Sequence, residues 1–148
     1  MLTILQSGLG TGISATAFRR HGISTTIVEI DPAVYDAART YFGFPDPGPG
    51  KVFLEDARSW VATRRASLRA TSTEPPFDFV IHDCFSGGGV PEHIFTLEFW
   101  EDLKTIIHPE GVVVVVSGCH CLTSANTAFD FPWSTRILQD FSDQMLRK

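Results

Sequence analysis

At 148 residues, 43% of them hydrophobic and with a mean hydropathy of +0.06, the chain has the length and composition of one globular domain with a sizeable core. A formal net charge of −5 and a pI near 5.4 exclude general electrostatic attraction to nucleic acid or to an anionic membrane surface. No apolar stretch approaches the roughly 20 residues that span a bilayer, and no basic, apolar and then small-residue leader opens the chain, so a cytoplasmic address is expected.

The elements follow one another as strand and helix. Leu2 to Ser7 reads as a short buried strand, the glycine turn Gly8-Leu9-Gly10-Thr11-Gly12 follows, and a helix is expected from Ile13 to His21, closed by Gly22. The β-branched run TTIVEI, residues 25–30, is the second strand. In DPAVYDAARTYFGF, Asp31 is placed as a helix N-cap with Pro32 at the first helical position. Val34, Ala37, Ala38, Tyr41 and Phe42 then form an apolar stripe at helical spacing, which puts Tyr41 and Phe42 in the core.

PDPGPG breaks the chain before a third strand, KVFLED, at 51–56. ARSWVATRRASL is helical, RATSTEPP is a polar loop, and FDFVIHD at 77–83 is the fourth strand. CFSGGGVPEH then leads to a helix through TLEFWEDLKTII; PEG turns the chain into a fifth strand, VVVVVSG, at 112–118. A final amphipathic helix is expected from Ser134 to Leu146.

Strands alternating with helices at this spacing imply right-handed βαβ crossovers, and strands that are nearly all apolar imply a parallel sheet covered on both faces. The expected fold is α/β, a Rossmann-like doubly wound parallel sheet, in one domain spanning 1–148. The cysteines, Cys84, Cys119 and Cys121, show no disulfide framework, which agrees with a reducing compartment. Cys119-His120-Cys121 lacks a second ligand cluster, and adjacent residues of an extended segment point to alternating sides, so no metal site is expected.

Ligands of doubly wound sheets lie outside the carboxyl ends of the strands, beside the first one. Gly8, Gly10 and Gly12 follow strand one and let backbone approach a ligand closely; Ile13 breaks the dinucleotide fingerprint at its sixth position, which disfavours NAD or FAD. Glu29, ending an apolar strand two, can accept hydrogen bonds from both hydroxyls of a ribose, and Ile30 can pack on an adenine face. Asp56 can accept a hydrogen bond from an exocyclic amine while the Ala57 N–H donates to the ring, although helix capping also accounts for Asp56. Asp83 places another carboxylate at the end of strand four.

GLGTG, VEIDP, EDAR, FDFVIHDCFSGGGVPEHIFTLEFW and PEGVVVV, spread over residues 3–118, resemble the catalytic domain of the spermidine synthase-like branch of class I S-adenosylmethionine-dependent methyltransferases. The resemblance implies strand order 3-2-1-4-5, with the branch's N-terminal β domain and its usual last two strands absent. It implies that Gly8, Gly10 and Gly12 lie under the amino acid part of the ligand, that Glu29 holds the ribose, and that Asp56 and Ala57 read adenine. Asp83 matches the residue proposed in polyamine synthases to deprotonate the attacking amine. The cofactor implied is S-adenosylmethionine or its decarboxylated form.

Two departures bear on the reaction. Thr11 stands where true spermidine synthases carry an aspartate in the first loop, and Ser86 stands at the second aspartate of their motif after strand four. A dicationic diamine needs several fixed carboxylates to replace its hydration, so methyl transfer to a small-molecule acceptor, such as an amine, is the leading expectation. Polyamine aminopropyl transfer, a noncatalytic nucleoside-binding module and a truncated product remain alternatives. Asp83 would steady the ligand's positive charge or act as a base. SGGGVPEH could form a lid in which Glu92 or His93 meets the acceptor, against the plainer reading of both as a solvated loop. An unpaired apolar edge on strand five predicts a homo-oligomer.

Overall fold

Aliphatic and β-branched runs form five parallel strands: β1 (Thr3–Ser7), β2 (Ser24–Glu29), β3 (Val52–Leu54), β4 (Phe77–His82) and β5 (Ile107–Val115). The computed structural model describes residues 1–70, 75–84 and 91–116. Its sheet has the order β3-β2-β1-β4-β5, as the resemblance implied. The helices among the described residues are α1 (Ile13–Arg20), α2 (Pro32–Tyr41), α3 (Ala57–Ala70) and α4 (Leu97–Thr105), with a 3₁₀ turn at Glu92–Ile94 before α4.

Because successive strand residues point to opposite faces, each strand feeds two cores. Ile27 of β2 packs with Leu9, Ala15, Ala38 and Phe44 under α1 and α2. Its neighbour Val28 packs on the other face with Leu5, Val80, Trp60, Phe99 and Leu103 under α3 and α4. Phe99 and Leu103 are almost wholly buried, each such side chain contributing about 1.5–3 kcal/mol of transfer free energy. The crossing from β1 to β2 on one side and to β4 on the other opens the crevice at the strand ends.

The Asp31-Pro32 signal performs as expected: the Asp31 side chain accepts the Ala33 N–H at 2.8 Å and Pro32 opens α2. The expected burial of Tyr41 and Phe42 does not hold; they are 80% and 58% exposed. The chain leaves α2 through Gly43 at φ +66 and folds back so that the Phe44 N–H donates to the Ala38 carbonyl at 3.0 Å. Phe44, 4% exposed, therefore takes the core place that helical spacing assigned to its neighbours.

Strand five starts earlier than expected. Ile107 pairs with Phe77, and the ladder resumes only at Phe79 with Val112, so His108-Pro109-Glu110-Gly111 is a bulge within the strand rather than a turn before it. A Cβ on Gly111 would lie 2.5 Å from the Ile107 side chain, so the bulge closes on a residue without one. Strand three is shorter than expected, and Asp56 stands at the start of α3, where its carbonyl accepts the Trp60 N–H at 3.0 Å. Cys119-His120-Cys121, the end of expected strand five at 117–118 and the helix expected at 134–146 lie outside the described residues. Among the described residues no helix is long and apolar enough to cross a membrane.

Candidate functional site

The carboxyl ends of β1, β2, β3 and β4 surround a cavity of about 250 Å³. Gly8, Gly10, Glu29, Ile30, Asp56, Ala57 and Asp83 all line it, although they come from four separate stretches of chain. A larger hollow of about 520 Å³ lies at the other end of the strands, lined by Thr3, Ser24, Lys51, Trp60, Arg64 and Phe77. The expected ligand residues are gathered at the smaller cavity, at the carboxyl ends where doubly wound sheets bind their ligands.

The glycines of the first loop do different things. Gly8, at φ +87, donates its N–H to the Val28 carbonyl at 2.8 Å, and a Cβ on it would lie 2.0 Å from the Asp83 carbonyl oxygen. It lets β1 and β4 converge. Gly10, at φ +55, has open space where a Cβ would stand and leaves bare backbone on the cavity. Gly12 is not brought to the cavity: at φ +76 it caps α1, and a Cβ there would lie 2.7 Å from the Phe44 ring. The buried Gln6 braces the loop from below, its Nε2 donating to the Gly8 carbonyl and to Ser14 Oγ, both at 3.0 Å.

Glu29 is 7% exposed, and both of its oxygens are engaged by backbone. Oε2 accepts the Leu9 N–H at 2.8 Å and Oε1 accepts the Asp31 N–H at 2.9 Å. Each oxygen keeps a further lone-pair direction, so the carboxylate holds the loop and still has acceptor capacity for a pair of hydroxyls. Ile30, 63% exposed, offers an aliphatic surface beside it.

Asp56 serves two partners. Oδ1 accepts the Ser59 N–H at 3.0 Å, the capping bond anticipated for it, while Oδ2 meets His93 Nε2 at 2.7 Å. Burial pushes its carboxyl up, but the Ser59 N–H and the hydrogen bond and charge of His93 outweigh that and hold it below the usual carboxylate value. Ala57 is the first residue of α3, so its N–H has no acceptor within the helix.

Asp83 donates its backbone N–H to the Ser7 carbonyl at 2.9 Å and presents an exposed side chain at the cavity. Next to it, Cys84 Sγ lies 3.0 Å from Ser7 Oγ, and burial pushes the thiol up to about 11, so it is a protonated wall group and not a nucleophile. Of the two lid residues considered from sequence, His93 lines the cavity and Glu92 does not; Ser86 and Gly87–Gly89 lie outside the described residues.

Sequence reasoning missed Gln6, the backbone bonds of Glu29, and the pairing of His93 with Asp56. A polar residue in the middle of the apolar β1 was the available signal for Gln6; nothing in the sequence brings positions 56 and 93 together. Glu29, Glu55, Asp56 and Asp83 line the cavity with His93, and no lysine or arginine is among the described lining residues. Such a wall suits a ligand that is cationic and rich in hydroxyl and amine donors. Among the described residues no group of histidine, cysteine and acid side chains could hold a metal ion.

The family model of the spermine/spermidine synthase domain matches residues 8–129. The chain is 38% identical over 108 residues to the N-terminal histidine N-methyltransferase of Emericella nidulans, a match covering 73% of this chain and 18% of that protein. It is 37% identical over 113 residues to the polyamine aminopropyltransferase of Vibrio vulnificus, covering 75% of this chain and 36% of that one. Human methyltransferase-like protein 13, solved in complex with SAH, superposes with a TM-score of 0.66 at 26% identity over 76% of this chain and 52% of its own. A probable spermidine synthase from Corynebacterium glutamicum gives 0.60 at 26% identity over 77% of this chain and 39% of its own. The chain thus spans less than half the length of both matched proteins, the methyltransferase and the aminopropyltransferase.

Proposed function

The chain belongs to the spermine/spermidine synthase domain family, and from that premise we propose that its strand-end cavity binds S-adenosylmethionine for methyl transfer to a small-molecule acceptor. The observation that carries this reading is the meeting of Gly10, Glu29, Asp56 and Asp83 around one cavity without a lysine or arginine among the described residues of its wall. Glu29 would accept from the ribose hydroxyls and Asp56 from the adenine amine, with the Ala57 N–H directed at the ring. Gly10 would leave room for the amino acid tail.

The bound ligand supplies an activated sulfonium carbon, so the protein's task is to align a nucleophile and exclude water. Asp83, which lines the cavity, would steady the positive charge and take the proton released by an attacking nitrogen. An amine or imidazole nitrogen is the acceptor class suggested by the names of the relatives.

Aminopropyl transfer from decarboxylated S-adenosylmethionine is the second reading. It is favoured by the identity to an aminopropyltransferase and by an acidic wall without a side-chain cation for a ligand carboxylate among the described residues. Titration calorimetry with S-adenosylmethionine, its decarboxylated form and NAD, on wild type, Glu29→Ala and Asp56→Ala, tests both. Equal affinity in all three proteins would remove the adenosyl assignment, and preference for NAD would remove the sulfonium ligand.

The same reading extends to assembly. β5 is an outer strand with no partner on its far side among the described residues, and an aliphatic edge of that kind favours pairing with a second copy. Sedimentation at micromolar concentration should show self-association; a clean monomer would argue against it.

A further inference from the structure

We infer that His93 is a positioning residue that aims the Asp56 carboxylate at the base of the ligand and thereby makes the cavity selective for a 6-amino purine over a 6-oxo purine. This rests on the adenosyl reading above.

The geometry is a link between two parts of the cavity's lining. Asp56 follows β3, while His93 comes from the 3₁₀ turn, beside Pro91 and Ile94, which also line the cavity. His93 Nε2 lies 2.7 Å from Asp56 Oδ2, and a second tie joins the same two segments, Arg58 Nη1 donating to the His93 carbonyl at 3.4 Å. An ionised carboxylate only accepts, so Nε2 carries the hydrogen and donates it.

Little folding stability depends on this bond. The two side chains are 48% and 28% exposed, a setting in which ion pairs contribute little, and the α3 cap is already made by Oδ1 on the Ser59 N–H. Its consequence is orientation. The terminal torsion of an aspartate is broad, and one hydrogen bond leaves the carboxylate plane free to swing about it; bonds on both oxygens fix the plane. Each oxygen then keeps a fixed lone-pair direction.

A fixed acceptor discriminates by chemistry. A 6-amino group donates to it, whereas a 6-oxo group sets lone pairs against a half-buried carboxylate, and a site built for a hydrogen bond rejects the analogue that cannot make it. If the carboxylate swings freely it can turn away from the 6-oxo group, and the penalty shrinks.

The test compares S-adenosylhomocysteine with S-inosylhomocysteine by titration calorimetry on the full chain, as wild type, His93→Ala and His93→Gln, with a thermal melt of each. Wild type should prefer the adenosyl ligand by about tenfold or more. His93→Ala should melt like wild type and lose most of that preference, and His93→Gln, whose amide can donate from a similar position, should recover it. An unchanged preference in His93→Ala would overturn the inference. So would tighter adenosyl binding in that variant, because His93 would then be competing for Asp56 rather than aiming it. Wild type that binds neither ligand would instead defeat the adenosyl reading itself.

Discussion

Glu29 Oε2 accepts the backbone N–H of Leu9 at 2.8 Å, so the acid that ends β2 also holds the glycine loop that follows β1. Its other oxygen fixes the Asp31 N–H at 2.9 Å, immediately before α2. Substitution here should therefore damage folding and binding together. Glu29→Gln turns an amide N–H₂ toward one backbone N–H, and a buried donor left without a partner costs about 1–3 kcal/mol. Thermal melts should fall accordingly while adenosyl binding is lost. A Glu29→Gln protein with an unchanged melt would show that the loop does not depend on this carboxylate.

Asp56→Asn should separate the two effects. Asparagine caps helices as well as aspartate, so the bond to the Ser59 N–H survives and the melt should move little. What disappears is one ionised acceptor beside His93. Calorimetry should show weaker adenosyl binding at near-constant stability, and a large loss of stability would place Asp56 in the framework instead of the ligand contact.

The three loop glycines should respond differently to alanine. Gly8→Ala would drive a Cβ to within 2.0 Å of the Asp83 carbonyl oxygen and should prevent β1 and β4 from closing, giving little folded protein. Gly10→Ala meets no atom within 4 Å and bears only the left-handed backbone penalty of about 1–2 kcal/mol, so it should fold and bind poorly. Gly12→Ala presses on the Phe44 ring and should lower the melt without touching the cavity. Melts paired with calorimetry separate these outcomes; equal behaviour of Gly8→Ala and Gly10→Ala would contradict them.

Much of this site was legible because a carboxylate closing an otherwise apolar strand is costly to desolvate unless something nearby donates to it. Glu29, Asp56 and Asp83 announced themselves that way, and the parallel sheet followed from the alternation of strand and helix, its order from the resemblance. The division of labour among Gly8, Gly10 and Gly12 was not legible, since it depends on Asp83 and Phe44 approaching from elsewhere in the chain. The pairing of His93 with Asp56 is likewise a product of α3 and the 3₁₀ turn meeting at the cavity. Tyr41 and Phe42 were expected in the core because helical periodicity ignores the left-handed turn at Gly43, after which Phe44 folds back into that place.

The burial of Phe44 in place of Phe42 gives its own measurement. Phe44→Ala removes a ring packed against Leu9, Ala15 and Ile27 and touching Tyr35 edge-on, and should cost about 3–5 kcal/mol. Phe42→Ala, at an exposed helix end, should stay within about 0.5 kcal/mol of wild type. Denaturant titration of the two variants reads the difference directly, and a larger loss for Phe42→Ala would reverse the assignment of the core.

His82 should make the fold acid-sensitive in a defined window. Its ring has no exposed surface and stands 5.1–5.2 Å from the rings of Phe95, Phe99 and Trp100, with neither nitrogen hydrogen-bonded among the described residues. Burial alone pushes its pKa from 6.5 down to about 4. Between those values the unfolded chain binds the proton and the folded chain does not, so stability is whole above pH 6.5 and declines as pH falls toward 4. The integrated loss is about 3 kcal/mol. Asp56 and Asp78 are held below the usual carboxylate value, so their stabilisation is lost at lower pH, beneath this window. Denaturant midpoints at pH 7.5 and pH 5 should therefore differ for wild type and converge in His82→Leu, which fills the aromatic pocket without a titrating group. If His82→Leu kept the full wild-type pH slope, the proton would be binding elsewhere, and the end of β4 that carries Asp83 would have no acid-sensitive anchor.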